Sequence, residues 1–145
     1  MKVWVKYALA VTFIWAGMVL GISFLEAPLK FQAPNITLAL GLGIGRLVFA
    51  ALNKFEILFM LVIAIAAWRA KFVLSAKLIV SILAFILVIQ TFYLLPLLDT
   101  RAQLIIDGNT PPASPHHWTY IILEVCKLAL LVWLGVKLLG FLEKR

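Results

Sequence analysis

The chain has 145 residues, of which 65% are hydrophobic and 13% charged, and a formal net charge of +7. These proportions exclude an ordinary soluble domain, which needs far more polar surface. They also exclude a nucleic-acid partner, because the Lys and Arg residues are dispersed at the ends of apolar runs, where membrane proteins keep them for topology. Continuous apolar runs near or above about 18 residues predict spans of the bilayer, and they lack the alternation of a membrane β-barrel strand. The fold class read from this is an all-α integral membrane protein, a four-helix transmembrane bundle, with the lipid bilayer as its first partner.

The N-terminus, Met1-Lys2-Val3-Trp4-Val5-Lys6, has the charge of a secretory signal, but no small-x-small cleavage site follows, and a retained first span over about 7–25 is expected. Glu26-Ala27-Pro28 reads as its exit, with Pro28 as a helix breaker and an extended piece from Leu29 to Ala33. Residues 36–68 are largely apolar but carry Arg46, Asn53, Lys54 and Glu56. One straight helix here would be about 50 Å long, and two spans would need a tight turn at Asn53-Lys54. The preferred reading caps a short interfacial or re-entrant helix at Asn35, runs it over about 36–53, and starts span two at Asn53, ending near Trp68. Gly41 and Gly45 form a Gly-x-x-x-Gly pair for close helix packing.

Arg69, Lys71 and Lys77 make a basic loop before span three, about 78–98, whose exit is marked by Tyr93, Pro96 and Asp99. Thr100 to Pro115 reads as a polar loop with strong turn residues, and span four covers about 118–142. No long repeat is visible. Four spans put both termini on one side with Lys2, Lys6, Arg69, Lys71, Lys77, Lys137, Lys144 and Arg145, against Lys30, Arg46, Lys54 and Arg101 opposite. This asymmetry predicts a multi-pass protein of a bacterial-type inner (plasma) membrane with cytoplasmic termini. Cys126, the single cysteine, is expected to be an inert buried thiol.

The residues that carry chemistry lie in span four. His117, Tyr120, Glu124 and Lys127 recur at helical spacing and share one face. Ionisable groups at bilayer depth are expensive and normally face a protein interior. Glu56, at the start of span two, and Gln90, late in span three, are placed near them in the extracytoplasmic half, with Arg46 folding over. Glu124 and Lys127 can pair at i and i+3, with Glu56 sharing a proton or cation. A metal is an alternative, with His116, His117, Glu124 and Glu56 as candidate ligands. No cofactor is specified, and no P-loop, Gly-x-Ser-x-Gly or dinucleotide motif points to a soluble enzyme.

Several short stretches resemble a family of small four-span membrane proteins, bacterial with mammalian transmembrane relatives, whose activity is not established. They are Trp15-Ala16-Gly17, Phe24 to Phe31 with Pro28, Ile44-Gly45-Arg46-Leu47-Val48-Phe49, Leu94 to Arg101, and the histidine at the head of span four, a position both His116 and His117 fit. The resemblance implies four helices and an elaborated first loop; Glu124 and Lys127 have no counterpart in it.

The expected function is binding or passage of a small ion or solute through the polar cluster, with Glu124 and Lys127 as its charged centre. The alternatives are an accessory subunit whose polar stripe pairs with a second copy or another membrane helix, and a membrane enzyme handling a metal or a lipid.

Overall fold

The computed structural model describes residues 1–143. Among these, all regular structure is helical, and four helices are long and apolar enough to cross a membrane: α1 Lys2–Gln32, α2 Leu38–Arg69, α3 Leu74–Ile106 and α4 His116–Glu143. Lys144 and Arg145, counted in the charge asymmetry above, lie outside the described residues.

Neighbouring helices are antiparallel, and the side-chain contacts show it. Trp15 of α1 meets Glu56 of α2, while Phe31, further along α1, packs on Gly41, earlier in α2. The same inversion joins α2 to α3 through Asn53–Thr91 and Arg46–Asp99, and α3 to α4 through Gln90–Lys127 and Tyr93–His116. Ser23–Glu124 and Phe13–Gly135 close the ring between α1 and α4. Both α1 and α3 therefore pack between α2 and α4.

Several expectations about the elements are corrected. Residues 36–53 do not form a separate helix; they are the first half of an unbroken α2, 32 residues long. No proline interrupts this stretch, and Asn53, assigned to a helix end, is buried with its side-chain amide donating to Thr91 Oγ1 at 2.8 Å. At 1.5 Å per residue α2 is about 48 Å long, beyond the roughly 30 Å hydrocarbon core, so its outer turns have length to emerge. Its cap is Thr37, whose hydroxyl accepts from the Leu40 amide at 3.2 Å, whereas Asn35 occupies a left-handed turn position with φ 63°.

Pro28 does not end α1, and the stretch after it is helical through Gln32 rather than extended. Likewise Pro96 and Asp99 do not end α3, which continues to Ile106 before the Asp107-Gly108 turn, where Gly108 has φ +86°. In both helices a π-helical stretch precedes the proline: Leu20–Glu26 before Pro28 and Gln90–Leu94 before Pro96. The widened turn absorbs the missing amide and the ring that would strain a regular helix.

Those two prolines reveal a repeat that the sequence hides. Pro28 and Pro96 differ by 68 positions, as do Glu56 and Glu124 and the π-helix ends Glu26 and Leu94. The same offset links buried residues: Ala8 with Ala76, Trp15 with Leu83, Val19 with Leu87, Leu52 with Tyr120, Ile63 with Leu131 and Ala66 with Leu134. The bundle is thus two helical hairpins, α1–α2 and α3–α4, with equivalent inward faces. Side chains agree little between them because only the inward register is shared, while most other positions need only be apolar.

The end of the bundle holding Lys2 and Glu143 is sealed by a continuous apolar core that includes Val5, Ala8, Ile63, Ala66, Leu131 and Leu134, all 0% exposed. Trp4 and Trp68 flank the Arg69 guanidinium there, with its carbon 5.8 and 5.0 Å from the two rings. Such aromatic and basic pairs suit the level of lipid headgroups. Cys126 is exposed rather than buried. Its neighbours Glu124 and Lys127 face inward, and the helical period turns position 126 outward.

Candidate functional site

All four helices deliver a polar side chain to one point near mid-height of the bundle. Lys127 of α4 is 0% exposed and lies between two carboxylates, Glu56 of α2 and Glu124 of its own helix, themselves 0% and 1% exposed. Its ammonium forms an ion pair with Glu56 Oε1 and another with Glu124 Oε1 at 2.5 Å, and donates to Gln90 Oε1 of α3 at 2.7 Å. The ammonium thus has one hydrogen bond and two ion pairs around it.

The surrounding shell completes the carboxylates unevenly. Gln90 donates through Nε2 to Glu124 Oε1 at 2.8 Å, and the Ser23 hydroxyl of α1 donates to Glu124 Oε2 at 2.6 Å. The Trp15 indole donates to Glu56 Oε1 at 2.9 Å. Glu56 Oε2 is buried without a hydrogen-bond partner. With two carboxylates against one ammonium, the cluster has an acceptor to spare and room in its charge balance for one further positive charge. An apolar surrounding makes each of these interactions strong and each omission costly.

Local sequence explains the positioning. Gln90 begins one π-helical stretch and Ser23 lies within the other. A π turn shifts the register of the following face, and such bulges are frequent at functional sites. The hairpin repeat places Glu56 and Glu124 at equivalent positions on opposite sides of the bundle. Lys127 breaks the symmetry, because its equivalent in the first hairpin is Phe59, which packs on the Trp15 ring.

Above the cluster a cleft of about 950 Å³ runs to the end of the bundle opposite the termini. Its floor is formed by Ser23, Asn53, Thr91 and Glu124, so Glu124 belongs both to the cleft lining and to the buried cluster. Tyr120 lines the wall, edge-on to Phe49 with ring centroids 5.6 Å apart. The rim carries Lys30, Arg101, His117 and the Arg46–Asp99 pair, whereas Lys54, next to Asn53 in α2, lies at the depth of the floor with an exposed side chain that also borders an outer groove beside Leu47, Phe55 and Leu58. Arg46 donates to Asp99 through Nε at 2.5 Å and Nη2 at 2.9 Å, and through Nη1 to Gln103.

Of the residues singled out from the sequence, Glu56, Gln90, Glu124 and Lys127 converge directly, and Tyr120 lies beside them on the cleft wall. Glu56 is not at the start of its span: because α2 begins at Leu38, it falls near the helix middle. Arg46 stands away from the cluster on the rim. His117 shares the helical face as expected but lies on the rim, exposed. His116 turns elsewhere, against Ser114 and edge-on to Tyr93. The four candidate metal ligands are therefore not assembled, and among the described residues no three His, Cys, Asp or Glu side chains are grouped to hold an ion.

The sequence reading missed Trp15 and Ser23 as site residues, together with the Asn53–Thr91 bridge. The available signals were an indole N–H within an apolar span, which needs an acceptor when buried, and a lone hydroxyl five residues before Pro28. The Trp15–Glu56 bond can be tested directly. Trp15→Phe keeps an aromatic ring but removes the donor, and a loss of about 1.5–3 kcal/mol is expected, as for a hydrogen bond to a charged group. Denaturant titration in detergent reads it; an unchanged midpoint would mean that Glu56 does not depend on Trp15.

The chain matches no protein-family model, no curated protein and no solved structure.

Proposed function

We propose that this multi-pass membrane protein admits a small ion or solute from one end of the bundle and binds it in the cleft above the Glu56–Lys127–Glu124 cluster, which serves as the charged centre for its passage. The observation that carries this reading is the double role of Glu124, whose carboxylate is at once the floor of an open cleft and a member of a buried charge cluster built by all four helices. Intramembrane ionisable residues of this kind mark ion and solute pathways. Two parallel repeats meeting around a mid-height polar site are also the architecture of several carriers. The extra acceptor at Glu56 Oε2 suits a proton that moves with the solute bound in the cleft.

Lys2, Lys6, Arg69, Lys71, Lys77 and Lys137 favour a cytoplasmic position for the termini of an inner-membrane protein, so the cleft opens to the extracytoplasmic side. In the conformation described, the apolar core beneath Lys127 closes the other side. Passage requires that core to part, and the two π-helical stretches are the hinges available to it.

The test is proton flux into liposomes holding the purified protein and a trapped pH dye, under a potassium-diffusion potential. Wild type should acidify or alkalinise the lumen faster than protein-free liposomes. Glu124→Gln, which retains shape and the acceptor oxygen but not the charge, should reduce the excess rate at least tenfold. Wild type indistinguishable from empty liposomes, with and without added solutes, would remove the passage reading.

A further inference from the structure

The cleft has one pole, and that pole is positive. Its floor groups are already bonded to one another: Asn53 to Thr91, and both oxygens of Glu124 to protein donors. None of these buried floor groups asks for a ligand's polar group. At the rim the balance is different. Lys30 has a side chain only 10% exposed, yet its one side-chain acceptor among the described residues is Glu26 Oε2 at 3.4 Å, near the limit of a hydrogen bond. An ammonium has three donors, so most of its capacity is unmet although it is nearly withdrawn from solvent.

The surroundings hold that ammonium in place. It lies 5.6 and 5.7 Å from the ring centroids of Phe31 and Phe49. A Cβ on residue 45 would approach its Nζ to 3.0 Å, so Gly45 makes the space its head occupies against α2. Arg101 shares the rim and has no carboxylate partner among the described residues; it donates to the Pro112 carbonyl. Arg46 and Asp99 neutralise each other. The repeat shows that Lys30 has no counterpart, since the equivalent position in the second hairpin is Leu98.

Between rim and floor the wall is apolar apart from the Tyr120 hydroxyl, with Phe24, Phe49, Ala50, Leu95, Leu98 and Ile121. From Gly41 at the mouth to Asn53 at the floor, α2 rises about 18 Å. An elongated apolar slot with a basic collar, opening where the helices outrun the hydrocarbon, is complementary to a molecule with an alkyl chain and a single anionic head. We infer that the cleft's ligand is an amphiphilic organic anion, an alkyl chain ending in a carboxylate or phosphate, with the head on Lys30 and the chain directed toward Glu124. This rests on the cleft being the solute's binding site, as proposed above, and names the solute's class.

The experiment uses the full chain in phosphatidylcholine nanodiscs with dansyl-undecanoate as the fluorescent probe. The expected result is saturable binding, displaced by palmitate or by dodecyl phosphate but not by hexadecylamine or hexadecanol. Which of the two anions displaces better distinguishes a free fatty carboxylate from a phosphate headgroup as the source. Lys30→Gln should weaken the probe by about tenfold or more, the factor for one charge-assisted hydrogen bond, and Lys30→Arg should retain most of the affinity. Equal displacement by palmitate and hexadecylamine in the wild type would overturn the inference, and this arm needs no variant to fold. Absence of saturable binding would overturn it as well. Proton flux without anion selectivity would remove the ligand class and leave the passage reading intact; anion binding without flux would do the reverse.

Discussion

Lys127→Met is expected to lower the stability of the bundle by about 3–5 kcal/mol, the range for breaking a buried ion pair from one side. Methionine fills a similar volume, so packing changes little. What changes is electrostatic: Glu56 and Glu124 are left facing each other, both essentially unexposed, with their shared counter-charge gone. The same argument predicts rescue. Lys127→Met combined with Glu56→Gln and Glu124→Gln removes all three charges and should recover most of the loss, because neutral amides can still exchange hydrogen bonds with Gln90, Ser23 and Trp15. Unfolding midpoints in a mixed-detergent titration measure both steps. If Lys127→Met is as stable as wild type, or if the triple variant is worse than the single one, the cluster is not held by its charge balance.

The second large effect concerns the apolar seal beneath the cluster. Ile63 and Leu131 are equivalent positions of the two hairpins, and each is 0% exposed. Ile63→Ala and Leu131→Ala should each cost about 2–5 kcal/mol, the span observed for truncating fully buried aliphatic side chains. The repeat adds a sharper expectation, that the two costs are similar, because the sites are related by the 68-residue offset and are equally buried. In the liposome assay the same substitutions should raise the background proton leak, since they thin the barrier between Lys127 and the end that carries the termini. Markedly unequal costs would show that the two hairpins are not energetically equivalent, and an unchanged leak would place the barrier elsewhere in the core.

Much of the fold was legible in the sequence for a single reason. A bilayer demands that backbone polar groups be satisfied within the segment, so apolar length alone specifies helices. The face of α4 was equally legible, because Tyr120, Glu124 and Lys127 follow the helical period and all three are buried. The rest was not. Pro28 and Pro96 read as ends because proline removes a backbone donor, but a preceding π turn accommodates that loss, and nothing local announces a π turn. Asn53, Lys54 and Glu56 read as a boundary because polar residues usually lie at one. In the folded chain Asn53 and Glu56 are buried by partners on α1, α3 and α4, far away in sequence.

What the sequence determined by itself was therefore one-dimensional: four apolar helices, their approximate places, and a polar stripe that had to face inward because lipid cannot solvate it. Only the tertiary structure decided which residues answer that stripe. Trp15, Ser23, Glu56 and Gln90 come from three other helices, and their meeting depends on the register with which the helices pack. The hairpin repeat and the cleft belong to the same category, because both are properties of shared inward faces and of the space between helices, and neither is carried by any single segment.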